Sequence, residues 1–281
     1  MKTIFIIITF GLLSTLAYPQ NNNHNDDDDE FYIGFPEDDI SINRGRIISG
    51  KDAEPHSAPY IVSIREGENG AHICGGSILT KNTILTAAHC LKSNLYVAVG
   101  LHDRRDTTNS QIIKVKNYIG HDNYKGGSSP YDIGVLHLSE PIKLNDNTIK
   151  PIDLPITNEK QTGEVTLYGW GRTIANSWNL PNILQVVTTD LLTNEECLNE
   201  LPDKDKKNLH NTMICTGSRN EHISSCNADS GGPLVQKNND NKTILVGLVS
   251  WGVLPCGKAN KPSVYTHIGS HLDWIKINTR K

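Results

Sequence analysis

Three short stretches hold side chains that together could carry out acyl transfer. Ser230 lies in Ser224-Ser225-Cys226-Asn227-Ala228-Asp229-Ser230-Gly231-Gly232-Pro233. His89 sits in Thr86-Ala87-Ala88-His89-Cys90, and Asp132 heads the run Asp132-Ile133-Gly134-Val135-Leu136. A serine hydroxyl is a poor nucleophile until a base takes its proton and donors face the oxyanion it creates. A buried acid can fix a histidine's tautomer and stabilise its cation, and the histidine can then take the serine proton. Each piece alone has a duller reading. Asp-Ser-Gly-Gly-Pro is built of turn formers, a lone histidine is more often structural, and an acid before an apolar run is more often a cap. With 11 histidines and 31 acids in the chain, residue type by itself selects nothing.

The elements that would position these residues are short and β-like. Apolar, β-branched runs fall at 60–64, 76–79, 83–87, 95–99, 112–115, 133–138, 165–169, 185–189, 213–216, 233–236, 243–251 and 263–266, with turn formers between them. Strands at this spacing, with little helical periodicity, predict an all-β barrel or sandwich. Two stretches read as helical. One is 194–201, with Asn194 as its cap. The other is 267–277, where Ile268, Leu272 and Ile275 share a face and Trp274 and Ile277 fall outside it.

Composition sets bounds on partners and compartment. The 281 residues are 37% hydrophobic and 21% charged, which rules out disorder throughout. The net charge of −4 is unevenly placed: residues 1–46 hold eight acids and three bases, leaving 24 bases against 23 acids beyond them. Nothing there calls for a nucleic-acid partner. Met1-Lys2, the apolar run 3–16 and the small residues Thr15 and Ala17 read as a secretory signal peptide over 1–17, too short for a membrane anchor. Residues 18–46 are polar and acidic, with Asp26 to Asp29 as a solvated spacer. Arg46-Ile47-Ile48-Ser49-Gly50 is either a cleavage junction or a loop entering a strand. Secretion makes the six cysteines disulfide candidates, and the count alone allows fifteen pairings. No C-x-x-C pair points to zinc. Asn241-Lys242-Thr243 is a glycosylation acceptor pattern.

From Ile47 to the C-terminus, 235 residues, the chain resembles the chymotrypsin/trypsin family of secreted serine endopeptidases, and among them its arthropod members. The matching pieces are Ile47-Ile48-Ser49-Gly50, Cys74-Gly75-Gly76-Ser77, Thr86-Ala87-Ala88-His89-Cys90, Asp132-Ile133-Gly134-Val135-Leu136, Gly169-Trp170-Gly171, Asp229-Ser230-Gly231-Gly232-Pro233, Ser250-Trp251-Gly252 and Lys261-Pro262-Ser263-Val264-Tyr265. Their order is His, Asp, Ser, as in that family. The resemblance implies two six-stranded antiparallel β-barrels packed together with a C-terminal α-helix, and a site in the cleft between them. It implies His89 as base, Asp132 as its orienter and Ser230 as nucleophile, with Ala228 and Ser230 supplying the oxyanion donors. Ser250, Trp251 and Gly252 would bind substrate backbone as an added strand. The implied disulfides are Cys74–Cys90, Cys197–Cys215 and Cys226–Cys256. Residues 18–46 become an activation propeptide and 47–281 the protease domain. Cleavage after Arg46 would free an Ile47 ammonium to pair with Asp229. The implied partners are peptide or protein substrates, an activating trypsin-like protease and protein inhibitors, with a monomer as the family expectation. No cofactor is expected.

Three positions depart from the family pattern. Ser224, six residues before Ser230, stands at the base of the specificity pocket where trypsin-like members have aspartate. A Lys or Arg side chain buried there would be unpaired, so an apolar preference is expected. Gly252 leaves the pocket mouth open, while Ser263 replaces a wall glycine and favours Leu or smaller over Trp. Ala228 replaces the oxyanion glycine, a position suited to φ > 0. If the loop relaxes, a donor is lost and the chain becomes a pseudoprotease that binds without turnover. In the loop 100–111 oxygen ligands are too few for calcium, so no metal is expected.

Overall fold

The structure is a computed structural model that describes residues 50–280, apart from 146, 159, 174–178, 218–223 and 259. The signal peptide over 1–17, the propeptide over 18–46 and the Arg46–Ile47 junction lie outside the described residues. Each predicted β run overlaps a strand, and two closed antiparallel barrels result.

The first barrel uses β2 (Ile61–Glu66), β3 (His72–Thr80), β4 (Thr83–Thr86), β5 (Leu95–Val99), β6 (Gln111–Gly120) and β7 (Gly134–Leu138), joined in the order β2-β3-β4-β7-β6-β5. Val62, Ile64, Ile78, Ile84, Val97 and Leu136 fill its interior. The second barrel uses β8 (Glu164–Gly169), β9 (Gln185–Leu192), β10 (Met213–Gly217), β11 (Pro233–Lys237), β12 (Thr243–Gly252) and β13 (Ser263–His267). Its order is β9-β10-β13-β12-β11-β8, and β8 returns to β9 to close it. The two-residue β1 (Lys51–Asp52), too short to be read from sequence, adds to β9. Leu167, Leu234, Val246 and Tyr265 pack inside this barrel.

A third apolar layer joins the barrels. Tyr60, Leu85, Ile133 and Val135 from the first pack with Trp170, Leu245 and Leu248 from the second. Disulfides connect Cys74 to Cys90, Cys197 to Cys215 and Cys226 to Cys256. In the chain-entropy account, the first two, closing loops of sequence separation 16 and 18, each stabilise by about 3 kcal/mol.

The helices differ from the sequence expectation at their starts. Helix α1 is Asn194–Glu200, and its cap is Thr193 rather than Asn194. Thr193 Oγ1 accepts from Glu196 N–H at 3.2 Å while the Glu196 carboxylate accepts from Thr193 N–H at 2.8 Å. That reciprocal capping box outcompetes Asn194. A one-turn α2 (Asp203–Lys206) follows. The C-terminal helix α3 is Leu272–Asn278, preceded by a 3-10 turn at Gly269–His271. His267 ends β13 instead of starting the helix, because its N–H bonds Thr212 O and it pairs with Gly247. Ile268 and Ile275 are still buried on one side. Trp274 finds a different partner, stacking on His121 with ring centroids 5.3 Å apart. No helix among the described residues is long and apolar enough to cross a membrane.

Candidate active site

His89 sits on a 3-10 turn, Ala88–Cys90, at the end of β4. Cys90 ties that turn to β3 through Cys74. Asp132 arrives from the loop before β7 and is fully buried. Its Oδ1 accepts from His89 backbone N–H at 3.0 Å, and its Oδ2 lies 2.8 Å from His89 Nδ1. Ser250 Oγ donates to the same Oδ2 at 2.6 Å, and Thr266 Oγ1 donates to the Asp132 carbonyl at 2.8 Å. A carboxylate can only accept, so Nδ1 carries the proton and Nε2 presents a lone pair. Burial of Asp132 is offset by these three donors to its carboxylate.

Ser230 is half-buried on the loop leading into β11. Its carbonyl accepts from Gly75 N–H at 2.8 Å, and the Cys90 sulfur lies 3.5 Å from the same oxygen. On the far side, Gly231 N–H bonds Val249 O, next to Ser250. The serine is therefore held between the turn bearing His89 and the strand bearing Ser250. Gly231 has φ +73, and a Cβ there would collide with Thr86 Oγ1, so only glycine fits beside the nucleophile candidate.

Asp229 points inward from this loop and is 1% exposed. Gly171 N–H donates to its Oδ1 at 2.7 Å and Cys226 N–H to its Oδ2 at 3.0 Å. Desolvation pushes its carboxyl up to about 7, against the pull of those two donors. A Cβ on Gly171 would overlap the carboxylate, which explains a glycine there. Ala228 keeps the left-handed backbone, with φ +76, and its carbonyl lies 2.9 Å from His72 Nε2.

Ser224 is buried two residues before Cys226, and its Oγ accepts from Gly257 N–H at 2.7 Å. Ser263 Oγ accepts from Ser225 N–H at 3.1 Å, so its hydroxyl is turned to the wall backbone. A Cβ at Gly252 would meet nothing nearer than 3.9 Å. β11 pairs with β12 only as far as Leu248. Beyond it, the edge of Ser250, Trp251 and Gly252 opposite β13 pairs with no strand among the described residues.

The profile of the Trypsin family matches residues 47–275. The chain is 41% identical over 242 residues to Lectizyme of Glossina austeni, across 83% of this chain and 86% of that one. It is 36% identical over 249 residues to the clotting factor G beta subunit of Tachypleus tridentatus, across 82% and 79%. It is 33% identical over 243 residues to trypsin of Sus scrofa, across 86% and 97%. The chain belongs to the trypsin family.

As a trypsin-family protein it is a serine-type endopeptidase. The stretches bearing His89, Asp132 and Ser230 lie where its two barrels meet, joined across the boundary by the Ser250–Asp132, Thr266–Asp132 and Gly75–Ser230 hydrogen bonds. Sequence reasoning missed three contributors. Thr266 acts through a hydroxyl that no short motif marks, and Gly171, although part of the Gly169-Trp170-Gly171 piece, acts through a backbone N–H whose bond to Asp229 that piece does not announce. His72 stands two residues before Cys74, and its contact with Ala228 spans 156 positions. Cys74, His89 and Cys90 lie close enough to resemble a metal cluster. Their two sulfurs are spent in a disulfide and offer no thiolate. In the loop 100–111, Asp103 is engaged by Arg105 at 2.6 Å, which holds its carboxyl down at about 2.

Proposed function

We propose that this trypsin-family chain is a secreted zymogen which, once cut after Arg46, hydrolyses peptide bonds after apolar residues. The reading rests above all on buried Asp132 accepting from both His89 and Ser250 beside Ser230. With Nδ1–H directed to Asp132, His89 Nε2 takes the proton of Ser230 Oγ as that oxygen attacks the scissile carbonyl. The N–H groups of Ala228 and Ser230 receive the oxyanion. His89 then gives its proton to the leaving amine, and water hydrolyses the acyl-enzyme by the same steps in reverse. The free edge at Ser250, Trp251 and Gly252 receives the substrate backbone as an added strand, as it would the extended loop of a protein inhibitor.

Ser224 gives the pocket its preference. Its hydroxyl is neutral and already engaged with Gly257 N–H. A Lys or Arg side chain would enter without a counter-charge, at a cost of several kcal/mol, roughly a thousandfold. Ser263 narrows the pocket by its bulk alone, favouring Leu over Trp. Activation follows from Asp229. It is a buried carboxylate with two backbone donors and, among the described residues, no cation against it. The Ile47 ammonium freed by an activating trypsin-like protease supplies that charge. Secretion agrees with three disulfides and no free cysteine among the described residues. Asn241, exposed in the turn before β12 at φ +60, is the glycan acceptor.

Matched peptides with Phe, Leu, Ala or Arg at the cleaved position test the reading on the chain cut after Arg46. Cleavage after Phe or Leu, lost in Ser230→Ala, is the expected result, and a preference for Arg would overturn the account of Ser224. The binding-only reading draws support from alanine at position 228. It predicts silence from the natural chain with turnover in Ala228→Gly.

A further inference from the structure

The oxyanion donor Ala228 occupies a backbone region that L side chains rarely enter. Glycine adopts it freely; alanine gains by turning one of the two peptides that flank it. Each of those peptides is held. Arg172 N–H donates to Asn227 O at 2.9 Å, fixing the peptide that carries the Ala228 N–H. On the other side His72 Nε2 meets the Ala228 carbonyl at 2.9 Å.

His72 is itself locked in place. It is 5% exposed and packs edge-on against Trp170, with ring centroids 5.7 Å apart. A carbonyl can only accept, so Nε2 carries the proton, and Nδ1 accepts from Ser63 Oγ–H at 2.9 Å. Arg65 Nε–H reaches the same hydroxyl oxygen at 3.5 Å. A relay therefore runs from β2 through His72 on β3 and ends, across the barrel boundary, on the peptide beside the oxyanion donor.

We infer that His72 is a positioning residue that keeps the Ala228 N–H aimed at the oxyanion, doing by an inter-barrel hydrogen bond what glycine does by conformational freedom. The inference rests on the proposed role of Ala228 as an oxyanion donor. It predicts a specific coupling: dependence on His72 should be strong with alanine at 228 and weak with glycine there.

The test uses the full protease domain cut after Arg46, with kcat and KM on a Leu-containing peptide and burst titration of Ser230. The variants are His72→Leu and His72→Gln, each with and without Ala228→Gly. In the natural background His72→Leu should lower kcat roughly tenfold or more with KM little changed. His72→Gln, whose amide N–H can stand in for Nε2–H, should recover most of that loss. With Ala228→Gly, His72→Leu should cost less than about threefold. Should His72→Leu fail to fold, His72→Asn, whose amide reaches less far, takes its place. Equal losses of kcat in the two backgrounds, or no recovery with Gln, would mean that His72 only packs, and the inference fails. Folded natural and Ala228→Gly chains that both give no burst would instead remove the active-enzyme reading and this inference with it.

Discussion

Cutting after Arg46 creates an ammonium at Ile47, and its titration should switch the enzyme off at alkaline pH. In the uncut chain, burial lifts the Asp229 carboxyl from 3.8 to about 7. At about 1.4 kcal/mol per pH unit, ionising it there costs on the order of 4 kcal/mol. An ammonium beside it offsets that cost. Breaking a buried pair by neutralising one partner costs about 3–5 kcal/mol, a consistent figure. The charged ammonium should thus favour the active arrangement by roughly a thousandfold. An α-amino group ordinarily titrates near about 7.7–8.0, and a carboxylate partner raises that value. The stabilisation is therefore complete below about pH 8 and lost as pH rises through the raised value. Burst titration of Ser230 from about pH 6 to 11, on the cut chain and on one acetylated at Ile47, measures this. The titratable sites should fall along one sigmoid above pH 8 and return on acidification, and the acetylated chain should give no burst. A burst that persists to pH 11, or a normal burst from the acetylated chain, would refute the ion-pair argument.

Three further outcomes follow from the same contacts. Burial holds His72 down at about 4 against an ordinary 6.5, so the unfolded chain takes up that proton first as pH falls. The domain should lose on the order of 3 kcal/mol between about pH 6.5 and 4, read from urea midpoints, and His72→Gln should flatten that part of the profile. Ser250→Ala removes one donor from buried Asp132, a bond to charge worth about 1.5–3 kcal/mol, and kcat should fall roughly ten- to a hundredfold; an unchanged kcat would show the bond to be dispensable. Peptide N-glycosidase treatment of chain secreted from eukaryotic cells should increase its gel mobility, and Asn241→Gln should abolish the change.

The strands were legible because β-branched alternation and turn residues act locally. Val97 and Val99, or Ile113 and Val115, announce an inward face without reference to the rest of the chain. The helix starts were less so. Thr193 and Asn194 are both good caps, and only the reach of Glu196 back to Thr193 decides between them. The expected helix begins at His267, a residue that the sheet claims through Gly247. At the site, residue types and order pointed to His89, Asp132 and Ser230. The supports did not show, because Thr266 reaches Asp132 across 134 positions and His72 reaches Ala228 across 156. Such contacts are set by how two barrels pack, and no local pattern encodes them.

The central claim is that Ser230, with His89 as its base, forms the acyl-enzyme. Intact-mass and peptide-mapping spectrometry of the cut chain, acid-quenched during turnover of a phenylalanine ester, tests it directly. An acyl adduct on Ser230, absent in Ser230→Ala and strongly diminished in His89→Ala, is the predicted result. Turnover without that adduct, or an adduct on another residue, would contradict the account.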